Sequence, residues 1–509
     1  MSMTSDILAR VEAAAEALVG LGTEYGGLFP SMVDLDGVAM LERAPDPIEG
    51  QRSGDRSYRG CNLIHDEATL LTLHGLAKGR SRPNFAAAAD RYVRRYATHC
   101  TETPTGLFPW GEHAFWDLDT DAIGDSHRQR DPTREAGAIH DHLRAAPFWL
   151  WEKILQCNPA CVQSFADGLH YHWTDGEPRE YIRHATIEQR RAHPRSARSC
   201  DFPRHGGFFI CDWAFAYRAE PRRRTLDEIE SMLDYWWPKR DDRGLLQIES
   251  RTPEENDRFH DVNAPSQTLS LAISLLEASQ ADLVQRMRTR ANAYVDAFFA
   301  APHDLEEGVY VILSRRSTNE LFQAMPVWGS VYGVWPASYV ALTALLGFRH
   351  TQDTRLLEWA QSVGERYASE PLPSSVNVPA MDAGLGLGLL ADLYELTSEP
   401  RWLDAALQLS ARLLDVYFQR VLPAGASGID WYEWGSTGMS RRWVPVFSCM
   451  AWPEPHCCRN TEPRVRWTAI TRHDDGAEIT VCCQRLAPYI LSPSPRNKVP
   501  PMTLATTTL

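Results

Sequence analysis

From about residue 62 to residue 417 the apolar positions recur with a helical period, and the helical stretches come in pairs. The first member of each pair is apolar almost all round, and the second is apolar along one stripe. The pairs are 65–79 with 84–99, 141–156 with 159–173, 207–218 with 225–237, 264–278 with 281–299, 335–347 with 354–368, and 382–397 with 401–418. A helix apolar on every side must be buried, whereas an amphipathic one faces water. Six such alternations predict an all-α (α/α)6 toroid, with six helices inside and six outside. A tetratricopeptide-type solenoid also alternates helices, but its repeats run near ~34 residues with short loops. Here the linkers 101–140, 174–206, 238–263 and 302–334 are long and unequal, as the loops of a functional rim are.

The pattern changes on either side of the ring, which is expected over residues 62–445. Residues 1–61 begin with an amphipathic helix carrying Asp6, Arg10, Glu12 and Glu16, followed by a lead-in loop. Residues 446–487 are rich in cysteine, and 464–471 and 477–484 alternate as strands joined at Asp474-Asp475-Gly476. Two strands make no stable sheet unaided. This small C-terminal β element is therefore either a sheet resting on the ring or the start of a domain cut short. The tail 488–509, rich in Pro and Thr, has no periodicity and reads as disordered.

No apolar run approaches the ~20 residues that span a bilayer. The first helix lacks the basic start, apolar block and cleavage site of a signal peptide. Eleven cysteines without small-domain spacing fit reduced thiols, so a cytoplasmic protein is expected. With 52 Lys and Arg against 66 Asp and Glu, a net charge of −14 argues against nucleic acid or an anionic membrane as partner. The basic stretches 190–198 and 222–224 read as solvated loops. Seventeen tryptophans point elsewhere, since their flat faces stack well on sugar rings. The partner expected is an oligosaccharide; no oligomeric state is implied.

Polar residues cluster where the inner helices are expected to start: His65-Asp66, His140-Asp141-His142, Arg204-His205, Asn263, Tyr332 and Asp382. Simple capping accounts for Asp141, Asn263 or Asp382 singly. Together they suggest a mouth where positive helix ends meet a polar ligand, with Asp66, His142, Arg204, Asn263 and Asp382 binding substrate. Between residues 106 and 117, Trp110 and Trp116 surround Glu112, His113 and Asp117. A carboxylate between aromatics suits a general acid, although a packed loop with a buried, paired Glu112 has the same sequence. Arg204 and His205 could bind or deprotonate a sugar, with Gly206-Gly207 giving a ligand close access to the backbone. Glu249 and Arg251 are further rim candidates, more simply a salt-bridged loop. The run His140-Asp141-His142 suggests a metal, but residues two apart diverge on a helix and no zinc spacing accompanies it. Gly384-Leu-Gly-Leu-Gly388 has no strand before it and reads as helix packing. Trp431 and Glu433 lie in a Trp-rich loop. Cys457 and Cys458, beside His456 and Arg459, are candidates for a nucleophile or for zinc, against the plainer reading of buried thiols.

Cys457-Cys458-Arg459-Asn460, Trp467 and Asp474-Asp475-Gly476 follow an order that resembles the β-L-arabinofuranosidases of glycoside hydrolase family 127. The resemblance covers the ring loosely and residues 428–481 by motif. It implies an (α/α)6 ring followed by β-sandwich material, Cys457 as nucleophile, and zinc on Cys457 and Cys458. The remaining zinc ligands of that family, a Glu-x-Cys, fall at the start of inner helix six. This chain has Met381-Asp382-Ala383-Gly384 there, with Asp382 for the Glu and no cysteine, and Arg459 stands for the family's Pro.

The reading favoured is a glycoside hydrolase that trims oligosaccharides in the ring's funnel. Glu112 or Glu433 would be the acid, Cys457 or a second carboxylate the nucleophile, and Trp110, Trp116, Trp328 and Trp431 the stacking platforms, with His113 beside them. The alternative is a polysaccharide lyase or uronic-acid epimerase, in which Arg204 neutralises the uronate and His205 or a Tyr takes the C5 proton. A non-catalytic sugar-binding toroid is the third reading.

Overall fold

The computed structural model describes residues 3–52, 56–134, 137–141, 145–195, 202–247, 280–331 and 334–433, with the backbone of short strands at 259–261 and between 467 and 484. Its helices are α1 (Met3–Gly22), α2 (Leu63–Gly79), α3 (Pro83–Arg95), α4 (Ser126–Arg130), α5 (Phe148–Cys157), α6 (Pro159–Gly168), α7 (Pro203–Ala219), α8 (Arg223–Trp236), α9 (Ala281–Ala300), α10 (Ala337–Thr351), α11 (Thr354–Ser369), α12 (Ala380–Thr397) and α13 (Pro400–Tyr417). Five hairpins, α2–α3, α5–α6, α7–α8, α10–α11 and α12–α13, pack in sequence, and α9 supplies an outer helix between α8 and α11. The expected inner helix 264–278 lies outside the described residues.

Burial follows the period of each helix. In α7 every residue from Pro203 to Tyr217 is buried, whereas α8 buries only one face, including Leu226, Ile229, Met232, Leu233 and Trp236. The same contrast separates α12 from α13. Pro83, Pro159, Pro203 and Pro400 occupy first turns, where a missing N–H costs nothing. Inside α12, Gly386 lets the Tyr367 ring approach so closely that a Cβ there would sit 2.3 Å from it. The glycine-rich run is thus a helix-packing device. No helix of the described residues is long and apolar enough to cross a membrane.

The ring closes through its N-terminal helix. α1 packs against both α3 and α13. Arg10 Nη1 donates to the Phe418 carbonyl at 2.9 Å, Arg80 donates to Glu12 at 2.7 Å, and Arg82 pairs with Glu16. Strand β1 (Met32–Asp34) then pairs antiparallel with β11 (Trp431–Glu433), Met32 opposite Glu433. The first and last hairpins are therefore tied together, as a closed toroid requires and an open superhelix does not.

The remaining strands lie in the linkers and shape one end of the ring. β2 (Gly60–Cys61), β3 (Ala114–Asp117) and β4 (Ala122–Asp125) form one small sheet, and β5 (Ile139–His140) pairs with β6 (Ala185–Thr186). The strands β7 (Leu246–Gln247), β8 (Phe259–Asp261), β9 (Val311–Arg315) and β10 (Leu321–Ala324) form a third sheet. One expectation fails here. The second inner helix does not begin at Asp141: His140 is in β5, and the helix starts at Phe148 behind Pro147, whose fixed φ favours a start there. Backbone pairing of Trp467–Thr468 with Cys483–Gln484, and of Thr471–Arg472 with Glu478–Ile479, matches the strands expected near the C-terminus.

Candidate active site

The linkers bring together a buried charged cluster that no single segment contains. Gly111 sits at φ +107, and a Cβ there would lie 2.0 Å from the Asp141 carbonyl, so only glycine lets the two loops meet. The Gly111 carbonyl contacts His65 Nε2 and accepts from Asn62 Nδ2, both at 3.1 Å, which ties the 111–114 segment to the first turn of α2. The next backbone N–H, that of Glu112, donates to Asp141 Oδ1 at 2.6 Å. Arg183 Nη2 then pairs with Glu112 Oε2 and lies 3.4 Å from Asp141 Oδ2. All three side chains are nearly inaccessible, so the charges interact with little screening.

Asp141 and Arg183-His184 meet because β5 and β6 pair with His140 opposite Ala185, which places Asp141 and His184 at the next register position. His113 faces them, its ring centroid 5.4 Å from that of His184. Burial, then the neighbouring Arg183 and His113, hold the His184 imidazole well below its usual pKa. On the other side the Arg183 guanidinium lies 5.4 Å from the centre of the Phe202 ring. Arg204 covers the same ring at 4.1 Å and reaches Trp335, itself packed on Tyr339. Two carboxylates, two guanidiniums, two imidazoles and an aromatic wall thus adjoin at the end of the ring where α2, α7 and α10 begin.

Behind this cluster runs a buried hydrogen-bonded chain. His172 Nδ1 donates to the Ile182 carbonyl at 2.9 Å, His140 Nδ1 donates to His172 Nε2 at 2.8 Å, and Trp110 Nε1 donates to His140 Nε2 at 3.0 Å. The carbonyl can only accept, so both tautomers follow from it. The chain fixes the 138–141 and 181–184 segments, and with them Asp141 and Arg183.

Comparison with known proteins identifies no family model and no curated protein that matches. Among solved structures, an unsaturated glucuronyl hydrolase specific for heparin is 11% identical over 87% of this chain and 95% of its own, with a TM-score of 0.41. A sugar epimerase from a ruminal bacterium is 10% identical over 72% and 88%, at a TM-score of 0.43. A family 76 alpha-mannanase from Bacteroides thetaiotaomicron is 14% identical over 57% and 77%, at 0.37.

Of the residues singled out in the sequence, Glu112, His113, Arg204 and His205 lie in or beside the cluster. His205 Nδ1 bonds the Tyr181 hydroxyl at 3.0 Å. Trp110 and Trp116 do not flank Glu112. Trp110 is fully enclosed among Phe108, Trp151 and Phe165, and Trp116 turns to Asp121 and His99. Neither presents a face to a ligand, and Glu112 answers to Arg183 instead. Glu433 lies apart, gripped by Arg56 Nε and Nη2 at 2.7 Å each, by Gln51 at 3.1 Å and by Trp431 Nε1 at 2.9 Å. Trp431 is thereby engaged too, and Trp328 stands edge-on to Tyr367. Both Asp382 oxygens accept from Ser330, N–H and hydroxyl, so Asp382 anchors the 302–334 linker; burial raises its pKa to about 6. His142, Asn263, Cys457 and Cys458 lie outside the described residues.

Asp66 also turns away from the cluster, accepting from the Tyr92 hydroxyl at 2.5 Å in the wall between α2 and α3. Burial raises its pKa from 3.8 to about 8. The folded state then binds the proton more tightly than the unfolded chain, so this group's contribution falls as pH rises between those two values. Asp66→Asn removes that dependence. Urea unfolding of the wild type and of this variant is expected to diverge by about 1.4 kcal/mol per pH unit across the window, with the variant gaining toward pH 8. Parallel pH profiles would show that Asp66 titrates normally.

Sequence reasoning missed Arg183, His184, Phe202 and Trp335, and placed Asp141 at the mouth only as part of a helix start. The one local signal is the run of apolar positions from Tyr181 to Ile187, where Tyr181, Ile182, Ala185 and Ile187 are buried. It marks an extended segment lining the interior rather than a surface loop.

Proposed function

We propose that this protein is a carbohydrate-active enzyme, a glycoside hydrolase working at the mouth built by Glu112, Asp141, Arg183 and Arg204. The observation that carries the reading is that Glu112 and Asp141 touch the same Arg183 nitrogen. Carboxylates sharing one nitrogen lie closer than the ~6.5–9.5 Å of inverting glycosidases, and nearer the ~5–5.5 Å of retaining ones. In this reading one carboxylate attacks the anomeric carbon and the other protonates the departing oxygen. Substrate entry displaces Arg183 from Glu112. Phe202, half-buried under the two guanidiniums, supplies the apolar side of the sugar site, in place of Trp110 and Trp116. The thiol route implied by the family 127 resemblance remains the competing source of a nucleophile, through Cys457. A cytoplasmic setting is part of the proposal.

The second reading, a lyase or epimerase of uronic-acid glycans, is favoured by the two guanidiniums on the Phe202 ring, which suit a sugar carboxylate. One experiment separates the two. Neutral and uronate-containing oligosaccharides are incubated with the full chain, and reducing ends are measured together with ultraviolet absorbance. A hydrolase acting on intact oligosaccharides is expected to release reducing ends without the absorbance of an unsaturated product. A parallel rise in absorbance assigns the lyase reading. Sugar binding with neither signal on the whole panel overturns the hydrolase and the lyase.

A further inference from the structure

We infer that His113, Asp141 and His184 form a binding site for a divalent transition-metal ion of the zinc class. Each offers one ligand atom, and these atoms lie within 4.8 Å of one another. A tetrahedral ion with bonds of ~2.0–2.1 Å holds its ligands ~3.3 Å apart, so modest side-chain rotation closes the set. Two imidazoles and one carboxylate are a donor set for zinc, cobalt or nickel rather than for calcium or magnesium.

The three ligands come from three linker segments that backbone pairing and the Glu112 N–H hold against one another. His113 precedes β3, and its Nδ1 lies 3.4 Å from Ser126 Oγ. Asp141 and His184 are cross-strand neighbours beyond the β5–β6 pair. Asp141 Oδ1 is oriented by the Glu112 N–H. A ligand held through its other atom is how metal sites set donor direction. The second, independent sign is His184 Nε2, which is buried and has no hydrogen-bond partner among the described residues. A buried ring nitrogen without a partner is costly, and coordination satisfies it.

The site itself does not depend on the glycosidase reading, but it meets that reading at Asp141. A bound ion holds the carboxylate that the hydrolase needs. The ion is therefore an inhibitor that competes with sugar.

The full chain, stripped with a chelator and dialysed, is titrated with cobalt(II) and then with zinc(II). The inference predicts one equivalent of cobalt with the visible bands of a tetrahedral site and without thiolate charge transfer, displaced by zinc. His184→Ala and His113→Ala are each expected to weaken binding by at least about tenfold. Cys457→Ser with Cys458→Ser is expected to leave it unchanged. Binding that survives both histidine variants, or that disappears with the cysteine pair, overturns the assignment, as does a wild-type chain that takes up no cobalt. Inhibition bears on a different point: zinc that binds as described but leaves turnover intact removes Asp141 from catalysis and leaves the site standing.

Discussion

Arg56→Ala is expected to lower the unfolding free energy by about 3–5 kcal/mol, the cost of leaving a buried carboxylate without its cation. Glu433 is 1% exposed and Arg56 6%, and the guanidinium grips both carboxylate oxygens at 2.7 Å. Gln51 and Trp431 stay behind after the substitution, but two neutral donors do not replace a charge in this setting. The effect is large because of where the pair sits. Glu433 is the register partner of Met32, so the ion pair pins the strand that joins the start of the chain to the end of the ring. Arg56→Met with Glu433→Gln, which leaves no buried charge, is expected to recover part of the loss. Chemical unfolding followed by circular dichroism checks both variants. A single variant as stable as the wild type would mean that water reaches Glu433.

The ring was legible in the sequence because helix burial is a local property. Whether a segment such as 207–218 is apolar all round or along one stripe is written in its own residues, and tertiary structure only has to agree. The cluster was not legible, because it depends on two-residue strands that carry almost no periodic signal. The pairing of Ile139 with Thr186 puts Asp141 beside His184, forty-odd residues away in the chain, and no spacing rule anticipates that. Reading His140-Asp141-His142 as the start of a helix made the same error from the other side. On a helix those residues diverge; in the extended chain beyond β5, Asp141 turns to Glu112 while His140 turns to His172. Tryptophan misled for a different reason. A ring that stacks on sugar and one that fills a core have the same apolar face, and Trp110 became a donor to His140 inside the wall. The fully gripped state of Glu433 came from Arg56, some 377 residues distant in sequence, and is likewise a product of closure.

Glu112→Gln is expected to have the largest effect on function. The side chain keeps its size and its backbone N–H still donates to Asp141, so the loop should hold its shape. What is lost is the ability to carry or give a proton, and a positioned acid or base contributes about 10²–10⁴-fold to turnover. The loss belongs in kcat with KM little changed, because a group that acts in the transition state contributes little to ground-state binding. Glu365→Gln, on the outer ring where Glu365 pairs with Arg401 at 2.9 Å, serves as a control for the removal of one carboxylate. The most direct measurement is kcat of Glu112→Gln and of Glu365→Gln on the oligosaccharide that the wild type turns over best. The cluster around Arg183 predicts a fall of about 100-fold or more for Glu112→Gln and about none for Glu365→Gln. A Glu112→Gln enzyme within about twofold of the wild type would place the chemistry elsewhere in the molecule.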